Sequence, residues 1–406
     1  MFINRRGRSD QACCCFWLAL AVGTTAPPAA QHAAFAQIGP ASLEQAQANY
    51  QRELAEYDAA RQQYETLAAP YWKSVSDKRQ LRNAKRRNGE PVVVDDYVLA
   101  QPPVYAGPPR PVDPAAPAAQ APVTRAAIPT VGDFLSNALT QFQFVPERPT
   151  SELEFKASYA GVAAEAGLTR SQIVRVYAFE SGGNGRYDVQ AGLEYDRPDG
   201  RPISTALGYN QLLNTNSVEL LAEKGDQFLT ALRRKSVSLR GEDRKALDSK
   251  IEALRRMIEF ARSVPDEWGQ HETLANTPQG LGIHAMNLDV DVGPLLQTQK
   301  LLDSLIFART KGLLHELSAS ELEMMNLTGD GNGYDLVSMP PDTREQVPTS
   351  NFFQRGGYER NPVAIRHNTA ASLFAAIDAK MDVESMLPGA TELAAAYDAA
   401  IRRCAR

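Results

Sequence analysis

Three stretches of this chain carry residue types suited to acid–base chemistry: VYAFESGGNG at 176–185, STALGYNQLLNTNS at 204–217 and ELEMMNLTGDGNG at 321–333. Glu180 closes an apolar helical run and is followed at once by Ser181, Gly182 and Gly183. Glycines there allow a sharp turn and close approach of a ligand, so the carboxyl is expected to face a cleft. The plainer alternative is a helix C-terminus with a glycine cap. A carboxyl that delivers a proton to a leaving oxygen must stay protonated near neutrality. Burial beside apolar groups arranges this, and Tyr177, Phe179 and Leu212 are the expected walls.

The order and content of these stretches resemble the soluble lytic transglycosylase family of the lysozyme-like superfamily. The matching residues are Glu180-Ser181, then Ser204 with Ala206-Leu207-Gly208-Tyr209-Asn210-Gln211-Leu212, then Asn326 within Met325-Asn326-Leu327. The stretch NLDVDVGPLLQTQKLLDSL from Asn287 also looks like the family's helix that carries an Asn and a Gly before a Leu-rich face. The resemblance spans roughly residues 152–335. It implies a peptidoglycan-cleaving site in which Glu180 protonates the glycosidic bond and then takes the proton of the muramic C6 hydroxyl, leaving a 1,6-anhydro sugar. It further implies that Ser181, Asn210, Gln211 and Asn326 bind the glycan, without a cofactor.

This chain departs from the family pattern in three places. Met325 stands where the family carries a sugar-contacting Tyr, which leaves that contact to Tyr334 or Tyr358. Glu180 and Gln211 are 31 positions apart (211 − 180), so DVQAGLEYDRPDGRP reads as an inserted loop or hairpin. Residues 220–263 form a second, charged insertion. Hydrolases pair their acid with a second carboxylate about 5–9 Å away. Asp188, Glu194, Asp196 and Asp199 in the inserted loop are the rivals for that role, although Asp196–Gly200 reads first as a turn. A muramidase-type hydrolase and a peptidoglycan-binding scaffold without turnover are therefore the alternatives.

Other signals point away from metals. TGDGNGYD lacks the acidic spacing and terminal Glu of a calcium loop. His32, His271, His284, His315 and His367 show no zinc-binding pattern. Near the C-terminus, VPTSNFFQRGGYERNP offers Tyr358 as a sugar-stacking ring, with a core position as the default.

The elements that must position these residues follow from composition. Arg5, Arg6 and Arg8, the apolar run Ala12–Gly23 and Ala34-Phe35-Ala36 read as a cleavable export signal over 1–36. This implies a periplasmic protein, with an uncleaved membrane anchor as the alternative. Cys13, Cys14 and Cys15 fall inside it, leaving Cys404 alone and no internal disulfide. Residues 37–100 read as a helical, basic region that Pro70 should break. The segment from Lys78 to Arg87 is a candidate patch for an anionic wall or membrane surface. With 43 basic against 48 acidic residues and an export signal, a nucleic-acid partner is not expected.

Residues 101–130 are Pro/Ala-rich and read as a disordered linker largely free of packing. From 131 to 375 the pattern is globular, mainly α and, by the resemblance, a lysozyme-like (α+β) domain with helical insertions. Thr169 with Gln172 forms a capping box ahead of the Glu180 helix. Leu247, Ile251, Leu254 and Ile258 line one face of a helical hairpin within 220–263. Residues 376–406 read as a helical C-terminal extension.

Overall fold

The computed structural model describes residues 40–115, 127–193 and 200–404. The segment 1–36 expected to be an export signal, residues 116–126 of the Pro/Ala tract and three rival carboxylates, Glu194, Asp196 and Asp199, lie outside the described residues. The protein is mainly helical. Among the described residues, extended pairing is confined to isolated bridges, Gln190 with Leu207, Leu207 with Leu212 and Pro348 with Thr369. No described helix is long and apolar enough to cross a membrane.

The chain forms two compact units, both discontinuous in sequence. Among the described residues, one comprises 128–339 and 374–404, and the other comprises 40–115, 127 and 340–373. This corrects the expected boundaries: 340–373 leave the site-bearing unit and the C-terminal segment joins it.

The second unit is built on α1 (Pro40–Arg87), a single helix that runs through Pro70. A proline inside a helix removes one hydrogen bond and costs about 3 kcal/mol. Packing on both sides offsets that cost: Tyr64 and Ala68 before the proline, and Tyr71, Trp72 and Val75 after it, share a core with Tyr358 and Ala364. The basic run is largely used within the unit. Arg79 donates to the carbonyls of Asn351 and Phe353, Arg82 to those of Asp96 and Asn351, Lys78 to that of Tyr97, and Lys85 to the Asp96 carboxylate. Arg82 is fully buried over the Tyr97 ring.

The described part of the Pro/Ala tract, 101–115, has no buried residue, as expected of a segment largely free of packing, but two of its side chains touch the unit. Tyr105 meets Tyr57 and Tyr64 edge-on under the Arg61 guanidinium, and Gln101 donates to Asn368 O. Three short helices, α12 (Pro341–Gln346), α13 (Arg355–Glu359) and α14 (Pro362–Arg366), complete this unit.

The first unit begins with α2 (Val131–Phe142), α3 (Glu152–Glu165) and α4 (Arg170–Ser181). A bridge-stapled loop then leads into α5 (Asn214–Ser238), which turns back as α6 (Gly241–Ala261). These two helices are the expected hairpin. Leu247, Ile251, Leu254 and Ile258 are buried, and a Cβ on Gly225 would meet Ile258 at 2.5 Å, so the glycine admits α6. Helices α7 (Trp268–Ala275), α8 (Pro278–His284), α9 (Val292–Thr310), α10 (Ala319–Thr328) and α11 (Asp330–Val337) follow. From Phe374 onward, α15 (Ala370–Glu384) belongs here, and α16 (Pro388–Cys404) packs on α3 and α4. Its face of Ala390, Leu393, Ala394, Tyr397 and Ala400 is buried, and the Tyr397 hydroxyl donates to Leu168 O at 2.7 Å. Residues 388–404 are thus part of this core, not an outer extension.

Candidate active site

The two helices that build the site start in the same way. On α4, Thr169 accepts from Gln172 N at 3.2 Å, and Gln172 Oε1 accepts from Thr169 N at 2.9 Å. On α10, Ser318 and Glu321 repeat this box at 3.2 and 3.1 Å. Each box is flanked by buried apolar residues in hydrophobic-staple positions, Leu168 with Ile173 and Leu317 with Leu322. Gln172 also donates to Leu317 O at 2.8 Å, which ties the two N-termini together. Nearer the C-terminal ends, Asn326 Nδ2 donates to Glu180 Oε1 at 2.9 Å. The two contacts advance in the same sense along both helices, so α4 and α10 run parallel and bring Glu180 beside Asn326.

A second carboxyl, not anticipated from the sequence, completes the cluster. Glu323 precedes Asn326 by three positions, so the two share one face of α10. It has no exposed surface, and neither of its oxygens receives a hydrogen bond. The Asn326 amide that holds Glu180 is one turn along this face, which sets the Glu323 carboxyl beside Glu180, and the two interact electrostatically. Glu180 and Asn326 each keep part of their surface exposed, making them the solvent-facing edge of the cluster. The available signal for Glu323 was a lone acid within the apolar run Leu322–Met325, a placement that burial alone does not favour.

Burial is the main cause of an upward shift in the Glu180 pKa, from 4.5 to about 7. The Glu323 hydroxyl, the Lys380 charge and the Asn326 amide oppose that shift by stabilising the anion. Glu323 is pushed well above the ordinary carboxylate range too, first by burial and then by the adjacent Glu180. Two adjoining carboxyls so placed do not both ionise readily, so the pair tends to hold a proton near neutrality. Lys380 Nζ donates to Phe179 O at 2.6 Å, forms an ion pair with Glu384 at 2.9 Å and lies 4.2 Å from the Phe179 ring centroid. It places a cation at the C-terminal end of α4, where the helix dipole favours one.

The glycines after Glu180 serve the backbone. Gly182 ends α4 in the left-handed region at φ 64°, as a C-terminal cap does. Gly183 has φ 69°, and a Cβ there would sit 2.2 Å from Glu384 O. Its own carbonyl accepts from Ala390 N at 2.9 Å, so the turn is clamped between α15 and α16.

The remaining expected site residues are turned inward. Ser181 Oγ donates to Tyr177 O at 2.6 Å, one turn back on its own helix. Asn210 Nδ2 donates to the Tyr159 hydroxyl at 3.1 Å and to Gln297 O at 2.9 Å, and Gln297 Oε1 accepts from Asn210 N at 2.8 Å. Gln211 is at φ 45°, and its Nε2 donates to Gly208 O at 2.7 Å. Tyr358 is 5% exposed in the other unit's core, its ring centroid 5.5 Å from that of Trp72. These four positions hold structure where glycan contacts were expected, because each lies in or beside a buried segment whose polar groups need partners.

Met325 is fully buried against Gly333, where a Cβ would meet its Cα at 2.4 Å and its Cγ at 2.8 Å, so its side chain fills core. Tyr334 donates to Lys311 O at 2.7 Å. Of the rival carboxylates, Asp188 is held by Arg148 and Arg186.

A depression of about 540 Å³ between α3, α5 and α9 is lined by residues including Phe228, Arg234, Leu295 and Thr298. None of the Glu180 cluster lines it, and chemistry marks the acid cluster more clearly than volume does. No group of three His, Cys, Asp or Glu side chains placed to hold a metal ion occurs among the described residues. Set against family models, curated proteins and solved structures, the chain matches none of them.

Proposed function

We propose that this chain is an exported peptidoglycan lytic transglycosylase with a lysozyme-like active-site unit, in which Glu180 is the single acid and base. The observation that carries this reading is a partly exposed carboxyl that exchanges its proton near neutrality, with donors in place for the anion it leaves. Glu180 passes its proton to the glycosidic oxygen as the C1–O bond breaks. The resulting carboxylate, held by the Asn326 amide, then removes the proton of the muramic C6 hydroxyl. O6 closes on C1, and the acid is restored with no water consumed.

The burial of Glu323 beside Glu180 supports this reading over hydrolysis. Hydrolytic carboxylate pairs stand about 5 Å or more apart, with the sugar or a water between them. Glu323 is fully buried, which leaves no room for a sugar or an attacking water beside it. The order of Glu180-Ser181, the Gly208–Gln211 segment and Asn326 supports the lysozyme-like assignment, and the basic, apolar, small-residue order of 1–36 supports export to the periplasm.

Digestion of purified peptidoglycan followed by mass spectrometry of the muropeptides tests the reading. Anhydro-muropeptides from wild type that vanish in Glu180→Gln are expected, whereas reducing ends would transfer support to the hydrolase. One observation favours a second reading, glycan binding without turnover: Ser181, Asn210 and Gln211 spend amide or hydroxyl protons inside the protein, leaving few free donors for a sugar. Retention of glycan strands by wild type with no product at any pH would favour it.

A further inference from the structure

Glu323 is the one member of the cluster that cannot reach a substrate, since none of its surface is exposed. Buried Leu322, Met324 and Met325 adjoin it on α10, and no donor serves its oxygens. An ionised carboxylate in such a place is far more costly than the neutral acid. The neutral acid carries an O–H that requires an acceptor. Glu180, held at 2.9 Å by the Asn326 amide one turn along the same face of α10, is the acceptor at hand.

We propose that Glu323 is a positioning residue that remains a neutral carboxylic acid through the reaction and donates its O–H to the carboxylate that Glu180 becomes on releasing its proton. The inference rests on the reading of Glu180 as the acid. No proton leaves Glu323: Glu180 loses its own to the leaving oxygen and regains one from the C6 hydroxyl. Between those events its charge is shared by two fixed donors, Glu323 and Asn326. This is transition-state stabilisation by preorganised hydrogen bonds, directed at the catalyst's own anion.

Other charged groups packed around α4 have partners. On α15, Lys380 pairs with Glu384, while Asp378 and Asp382 hold Arg175. Lys156 of α3 pairs with Glu392 of α16, and Arg170 with Asp398. On α10, Glu321 is engaged by Ser318 N and His315. Lys380 is therefore the charged group, besides the two carboxyls, whose field the pair feels.

The test combines a titration with a pH–rate profile on the full chain. Carboxyl-carbon NMR of glutamate-labelled protein, assigned with Glu180→Gln and Glu323→Gln, should show Glu180 releasing its proton first and Glu323 keeping its own through that transition. A Glu323 that ionises before or together with Glu180 overturns the proposal. Glu323→Gln, which keeps a neutral donor, should retain cleavage within about fivefold and keep the alkaline limb of the profile. Glu323→Met should lose about 10- to 100-fold and move the Glu180 titration to higher pH. A Glu323→Gln variant as inactive as Glu180→Gln would mean that Glu323 exchanges protons itself and would refute the proposal. Wild type that forms no product contradicts the cleavage reading alone, and the wild-type titration still decides this one.

Discussion

Replacing Glu180 with Gln should abolish cleavage and, at the same time, stabilise the fold above neutrality. The acid is held at a folded pKa of about 7 against 4.5 for the free side chain. Such a rise is worth at most about 3 kcal/mol of differential interaction. Below about pH 4.5 both folded and unfolded chains carry the proton, and the group contributes nothing to stability. Between about 4.5 and 7 the unfolded chain has lost its proton while the folded one keeps it, so stability falls as pH rises. Above about 7 the whole penalty is present.

Glu180 keeps part of its surface in water, so the measured gain in Glu180→Gln should be about 1–3 kcal/mol at about pH 8 and close to zero at about pH 4. For a unit of this size that corresponds to about 2–4 °C of melting temperature per kcal/mol. Thermal unfolding of both proteins across that range reads the difference directly, because contributions of other groups cancel between them. Loss of a general acid should lower the cleavage rate by at least about 10²- to 10⁴-fold. A variant less stable than wild type at the higher pH would refute the reasoning about the buried pair. A variant that still cleaves would refute the role of Glu180.

Asn326→Leu removes the amide that donates to Glu180 Oε1, so the anion loses a partner; the alkaline limb of the pH–rate profile should move upward and the rate should fall about tenfold or more. Gly183→Ala forces a Cβ to 2.2 Å from Glu384 O at a positive φ, and denaturant melts should show a loss of about 3 kcal/mol or more. Asn210→Ala breaks the buried network with Tyr159 and Gln297 and should cost about 1–3 kcal/mol while the muropeptide pattern stays that of wild type. Tyr358→Ala should cost about 3–5 kcal/mol through loss of its packing on Trp72, again with unchanged products from the folded protein; a changed product pattern in either of the last two variants would restore the expected sugar contacts.

Local signals in the sequence were the most legible. Thr169 and Gln172 announced the start of α4, the Gly182 cap its end, and the heptad-like face of Leu247, Ile251, Leu254 and Ile258 the α5–α6 hairpin. These depend on neighbours a few residues away. What the sequence did not disclose depends on partners far along the chain. Pro70 was expected to break α1 because the core that offsets it includes Tyr358 and Ala364, almost 300 residues later.

The basic run looked free for an anionic surface because the carbonyls that bind Arg79 and Arg82 come partly from Asn351 and Phe353. Asn210 and Gln211 read as sugar ligands because a polar pair in a loop looks the same whether it faces solvent or Gln297 and the Gly208 carbonyl. Glu323 was passed over as one acid in an apolar run. Only the parallel pairing of α4 and α10 reveals that its buried carboxyl lies beside Glu180.

The central claim is that cleavage returns the Glu180 proton from the sugar's own C6 hydroxyl and consumes no water. Digestion of peptidoglycan in oxygen-18 water with mass analysis of the fragments measures this most directly. The account predicts products lighter by one water than their hydrolytic counterparts and free of the heavy isotope. Heavy oxygen at the newly formed chain ends would contradict it.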